Sequence, residues 1–220
     1  MTKTLYTAII GNYDKLFPVP AKFRKGWDLK CFTDQKHLGG EGWEIAAVER
    51  NGLSDVAFSK KIKILPHEYL PGAEASLWID ASYKVLGPLN EFVSLFDKKE
   101  FAVFEHPDRS CVYEEMDAII RLNKAHPIPI NRQRQTYLEM GIPPNGGLYR
   151  CGVVYRRKAP AVVDLDNLWW TYTLWFATWR DQLTLPLALW VRGQQIQAFS
   201  DQYLKKFFRQ RTVHHKEKAA

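Results

Sequence analysis

Short apolar runs that break at polar tips recur along most of the chain, and their spacing predicts an alternation of strands and helices. Residues 5–10 are apolar, rich in β-formers and followed by a Gly-Asn turn; residues 27–32 and 43–48 read as two further strands. Residues 57–65 predict a short helix stopped by Pro66, 77–79 a buried strand, 89–96 a helix and 101–104 another strand. Over 113–125 the apolar positions recur at helical spacing. After Pro127 and Pro129 a helix is predicted over 131–140, then a Pro-Pro-Asn-Gly-Gly loop and strands through 148–155. Two helices are expected to flank Arg180-Asp181-Gln182, and a last amphipathic helix runs from about 196 to 208. This order, free of repeats and low-complexity segments, predicts an α/β fold: a three-layer α/β/α sandwich around a mixed, mostly parallel sheet.

Composition fits one domain. With 220 residues, 46% of them hydrophobic, the chain can bury a sizeable core. Residues 1–195 are read as its body and 196–220 as a basic amphipathic helix and tail of the same domain. Cys31, Cys111 and Cys151 are odd in number, widely spaced and set in apolar runs, which suits reduced core thiols better than disulfides or a zinc site. The start, Met1-Thr2-Lys3-Thr4, has no secretion-signal pattern, and the tryptophan-rich run at 167–179 is too short to span a bilayer. A cytoplasmic compartment is therefore expected. The net charge of +7 is concentrated at the end, since residues 205–220 hold six Lys or Arg against one Glu. Nucleic-acid binding would want basic and aromatic residues spread over the body, so it is disfavoured.

The candidate chemistry lies at strand tips. In an open α/β sheet, adjacent strand ends form the crevice where nucleotides bind. Asp80, after Leu77-Trp78-Ile79, places a hard oxygen ligand there for Mg²⁺ or Mn²⁺ bridging two phosphates of a sugar nucleotide, with Ser82 as a weaker second ligand. As a bare pattern, Asp80 is equally a strand-ending turn cap. Thr7, Gly11, Asn12, Tyr13 and Asp14 can line a nucleoside pocket, and Thr33 and Asp34 add a second polar tip. Lys60 and Lys63 are three apart, so a helix shows both on one face, where they can reach a diphosphate or merely meet solvent. His106 and Arg109, past the strand at 101–104, are candidates for phosphate or acceptor hydroxyls. Arg180-Asp181-Gln182 sits between two strongly apolar segments, so the cluster forms either an ion pair or a site in which Asp181 holds donor-sugar hydroxyls or acts as a base. Among Trp169, Trp170, Trp175 and Trp179, most are expected in the core and any remaining ring to stack on sugars.

Seven strings in order, YTAIIGNYD, CFTD, the lysine pair with Leu65-Pro66-His67, LWIDAS, HPDRSCVYEE, GGLYRCGVVYR and WRDQL, resemble domain of unknown function 616, the mucilage-related glycosyltransferase-like family of plants and bacteria. The resemblance covers roughly residues 5 to 190. It implies a nucleotide-diphospho-sugar transferase of the GT-A type with a Rossmann-like donor half, a metal at the Trp-Ile-Asp position, and Asp181-Gln182 as a donor-binding pair similar to that of glycogenin-like enzymes. The metal motif here is Asp-Ala-Ser rather than Asp-x-Asp, so a third ligand has to come from elsewhere, with His214 or His215 as the late-histidine candidates.

The expected function is sugar transfer from a nucleotide diphosphate donor, a UDP-sugar favoured, to a glycan or lipid-linked acceptor in cell-surface polysaccharide synthesis. A non-catalytic carbohydrate- or nucleotide-binding module and a sugar nucleotidyltransferase are the alternatives; the second lacks its glycine-rich basic signature, Gly11 standing alone near the first strand. Ile196, Phe199, Tyr203 and Phe207 recur at three- and four-residue steps beside Lys205, Lys206, Arg209 and Arg211, a stripe suited to an anionic membrane face or to packing on the domain.

Overall fold

The computed structural model describes residues 2–11, 14–36, 38–96, 99–196 and 198–211. Eight strands form: β1 (Lys3–Ile9), β2 (Asp28–Thr33), β3 (Glu44–Ala47), β4 (Ala75–Ile79), β5 (Tyr83–Val85), β6 (Phe101–Glu105), β7 (Tyr149–Arg157) and β8 (Phe208–Gln210). Six make one sheet in the order β3-β2-β1-β4-β7-β6, while β5 and β8 pair antiparallel beside it. The first four of that order are mutually parallel, and β7 opposes both β4 and β6. Only β7 is reversed, so the sheet is mixed and mostly parallel, as expected.

Both sheet faces are covered, which explains why the central strands β1 and β4 are buried along nearly their whole length rather than at alternate positions. Along β1, Tyr6 and Ala8 enter one core with Phe58, Ile62, Leu165, Trp169 and Ala188. Leu5 and Ile9 enter the other with Leu77, Ile79, Phe92, Leu204 and Phe207. The first face is layered by α1 (Asp55–Ile64), α6 (Pro160–Phe176) and α7 (Asp181–Val191), the second by α3 (Leu89–Ser94) and α8 (Asp201–Phe207). A third cluster joins α4 (Val112–Arg121), α5 (Pro127–Glu139) and α7 through Met116, Ile130, Tyr137 and Leu187. The result is a GT-A-like α/β/α sandwich. Cys31, Cys111 and Cys151 are free and buried within it. No helix of the described residues is long and apolar enough to cross a membrane.

Two predicted boundaries shift for clear reasons. Pro66 does not simply end α1; it opens the one-turn helix α2 (Pro66–Tyr69), and Pro127 likewise takes the first position of α5, where a missing N–H costs nothing. The larger difference is at the C-terminal end. The helix expected over 196–208 is only α8, capped by the Ser200 hydroxyl accepting from the Gln202 N–H, and the chain then straightens into β8. Its aromatic stripe turns inward: Phe199 packs on Phe96 at 4.6 Å and Phe208 on Phe92 at 4.8 Å between ring centroids, with Leu204 and Phe207 buried beside them. Of the two settings open to the stripe, packing on the domain is the one observed: Phe207 is buried, Ile196, Phe199 and Tyr203 are partly buried, and Lys205, Lys206 and Arg209 stay exposed.

Phe208→Ala should therefore destabilise the domain by about 3–5 kcal/mol in urea unfolding, as for other large-to-small changes in a packed core. A loss below about 1 kcal/mol would show that the C-terminal strand is not integral to the fold.

Candidate active site

Five strands share a direction, so their C-terminal ends lie along one edge of the sheet. After β1, Gly11 turns the chain at φ +65, where a Cβ would collide with the Asp55 carboxylate. Its N–H donates to Asp34 Oδ1 at 2.8 Å, while Arg50 pairs with Asp34 Oδ2 at 3.2 Å. The Thr33 hydroxyl donates to the Ile9 carbonyl at 2.7 Å. Thr33 and Asp34 are thus spent on holding two strand ends together, and Thr7 is fully buried in mid-strand. The sequence places all three at a nucleoside pocket; in the structure Thr33 and Asp34 lie at and just past the end of β2, and Thr7 within β1. Asn12, Tyr13, His214 and His215 lie outside the described residues.

Beyond β4 the backbone N–H of Asp80 donates to the Gly152 carbonyl at 2.8 Å, which fixes the carboxylate at the strand end. Asp80 Oδ1 accepts from Trp78 Nε1 at 2.7 Å and from Lys63 Nζ at 3.3 Å. Lys60 and Lys63 do share a face of α1, and both meet Asp181: Lys60 Nζ on Oδ1 at 2.6 Å, Lys63 Nζ on Oδ2 at 2.5 Å. Asp181 sits in the first turn of α7, where a carboxylate also suits the helix dipole. Left-handed backbone at Ala177 (φ 50) and Trp179 (φ 54) ends α6 and re-aims the chain into that turn. Buried partners then pin it. Trp169 Nε1 donates to the Asp181 carbonyl at 3.1 Å, Tyr137 Oη to the Leu183 carbonyl at 2.8 Å, and Thr178 Oγ1 to Gln133 Oε1 at 3.0 Å.

The quartet Lys60, Lys63, Asp80 and Asp181 is electrostatically tight. Burial opposes the charge on Lys63, which is 2% exposed, but the Asp181 and Asp80 carboxylates outweigh it and hold the ammonium above the ordinary lysine range. Burial would likewise raise Asp181, yet Lys60 and Lys63 keep it well below the usual carboxylate range. A carboxylate with both oxygens on ammonium groups is a poor base, so the geometry gives Asp181 the role of positioning two cations. Beneath them burial pushes the Cys151 thiol up, leaving it uncharged. Gln182 is half-buried with its amide 3.4 Å from the Tyr149 carbonyl.

His106 and Arg109 form a separate cluster past β6. Arg109 Nε donates to Glu115 Oε2 at 2.6 Å, with His106 Nε2 3.7 Å from the same oxygen and its Nδ1 accepting from the Asp108 N–H. Burial, reinforced by Arg109 and Arg150 against Glu115, holds the imidazole below its ordinary range. Among the described residues no hydrogen bond or ion pair joins this cluster to the quartet. Sequence reading missed the Trp78 indole on Asp80, and it missed Arg211. That residue's N–H donates to the Ser82 carbonyl at 2.8 Å and its guanidinium pairs with Asp14 at 2.5 Å, closing the crevice from the C-terminal side.

A family model described as the TOD1/MUCI70 glycosyltransferase-like domain matches residues 28–214, spanning β2 to β8 and all four quartet residues. The chain belongs to that family. No curated protein matches it. In this TOD1/MUCI70-family chain a divalent cation on Asp80 was expected, but the described residues suit it poorly. They contain no group of three or more His, Cys, Asp or Glu placed to hold a metal. Ser82 is nearly buried, and Asp80 Oδ1 already carries two N–H donors.

Because Asp181 titrates lower in the folded than in the unfolded chain, its contribution to stability is complete above its unfolded pKa of about 3.9 and is lost as pH falls below it. The stability gap between wild type and Asp181→Asn should be constant above about pH 5 and narrow below about pH 4, followed by thermal unfolding across that range. A gap that stays constant throughout would contradict the ion-pair account.

Proposed function

We propose that this glycosyltransferase-like chain moves a sugar from a nucleoside diphosphate donor to a hydroxyl of a glycan or lipid-linked acceptor. The observation that carries the reading is the convergence of Lys60, Lys63, Asp80 and Asp181, from α1, the end of β4 and the start of α7, at the C-terminal edge of the parallel strands. That edge is where open α/β sheets bind nucleotides, and ammonium groups fixed there stabilise the charge that grows on a departing diphosphate. Lys60 is the more open cation, with its side chain 22% exposed, and Asp80, 37% exposed, is the carboxylate free to meet a sugar hydroxyl. Asp181 keeps both lysines charged and in place. Gln182, one residue on, is assigned to the donor sugar. A UDP-sugar is the donor favoured by the family resemblance, and cell-surface polysaccharide synthesis is the setting it suggests.

A thermal-shift panel of UDP-, GDP-, dTDP- and CMP-sugars tests this. One nucleoside diphosphate class should raise the melting temperature, by an amount equivalent to about 2.7 kcal/mol at a concentration of about 100 Kd. With that donor, Asp80→Asn should lower turnover by about 100-fold or more while the fold persists. Binding of free glycans with no response to any nucleotide would instead identify a non-catalytic carbohydrate-binding module.

A further inference from the structure

The quartet has a charge balance that bears on how a donor is held. Two carboxylates against two ammonium groups carry the same formal charge as two carboxylates against one divalent cation. The ammonium groups are also built in: Lys63 is 2% exposed and spans Asp181 at 2.5 Å and Asp80 at 3.3 Å, its Nζ lying 5.7 Å from the centroid of the Trp78 ring. The Trp78 indole N–H takes the same Asp80 oxygen at 2.7 Å. One oxygen of Asp80 and both oxygens of Asp181 are thus already engaged by N–H or ammonium groups, in an arrangement preformed without a ligand. Among the described residues Lys60 donates only to Asp181, so two of its three N–H groups remain for a ligand, and its spacing from Lys63 keeps both ammonium groups on one side of α1.

We propose that Lys60 and Lys63 together do the work of the divalent cation, so that this chain binds its donor's diphosphate and expels it without a metal. The proposal rests on the nucleotide-sugar reading above. In the transfer step the bond between the anomeric carbon and the β-phosphate oxygen breaks with its electron pair passing to that oxygen. The acceptor hydroxyl oxygen bonds to the anomeric carbon and its proton leaves to solvent. The charge that collects on the nucleoside diphosphate is met by the two ammonium groups, Lys60 making direct hydrogen bonds and Lys63 acting from beneath. Asp181 is here a positioning residue that holds the two ammonium groups side by side, one on each of its oxygens.

Calorimetric titration of the full chain with UDP, GDP and dTDP, in excess EDTA and again with Mn²⁺, decides the matter. The nucleotide that binds should have dissociation constants within about threefold of each other in the two conditions. Lys60→Met should weaken that nucleotide about tenfold, with no rescue by Mn²⁺, at a temperature where the variant is shown to be folded. Tightening by Mn²⁺ of about tenfold or more overturns the lysine clamp while leaving the transferase reading intact, as does unchanged affinity in Lys60→Met. If none of the three binds in either condition, the nucleotide-sugar reading falls and the clamp with it.

Discussion

Lys63 keeps an ammonium charge where the side chain has almost no contact with water, and such a charge is tolerated only if it is paired and hydrogen-bonded. Asp181 and Asp80 supply the pairing, one from the start of α7 and the other from the end of β4. Remove Asp181 and the buried charge loses its shorter pairing; keep both and three segments distant in sequence are locked at the crevice edge. The Tyr6 hydroxyl, donating to the Lys63 carbonyl at 2.8 Å, ties the same residue to the central strand.

Much of the surrounding fold reads as support for that lock. The left-handed residues Ala177 and Trp179 turn the chain sharply, and strain of this kind persists only where neighbours over-determine it. Here Gln133, Tyr137 and Trp169 supply those neighbours through buried hydrogen bonds. On the other side, Asp80 owes its position to the antiparallel pairing of β4 with β7, which runs from Ala75 with Arg157 to Ile79 with Val153 and continues into the bond to Gly152. The small β5–β8 pair then carries Arg211 back to Ser82, so the C-terminal end, through its packed aromatic residues, also borders the crevice.

What was legible in the sequence follows from burial. Strands covered on both faces leave largely apolar runs, so the segments of β1 and β4 and the carboxylate at the tip of β4 stand out without a structure. The three-residue step from Lys60 to Lys63 announced a shared face, and a charged Arg180-Asp181-Gln182 between apolar helices announced an ion pair or a site; the ion pair is what the structure shows. The partners were not legible, because Lys60 and Asp181 are 121 residues apart and nothing local couples them. The aromatic stripe of α8 has the same period whether it faces lipid or core, and only the rings of Phe92, Phe96 and Phe104 resolve that choice. The bracing of Gly11 and Arg50 by Asp34 was not legible either, because a carboxylate that makes such contacts leaves the same mark in sequence as one that binds a base. Strands as short as β5 and β8 leave no periodic signal at all.

The account stands or falls on where a diphosphate sits. A crystal structure of the chain with its bound nucleoside diphosphate should show a β-phosphate oxygen within about 3 Å of Lys60 Nζ, beside Asp80 and above Lys63. A nucleotide found elsewhere on the molecule, with the Lys60–Asp181 and Lys63–Asp181 pairs untouched, would reduce the quartet to a structural ion-pair network and contradict the assignment of the site.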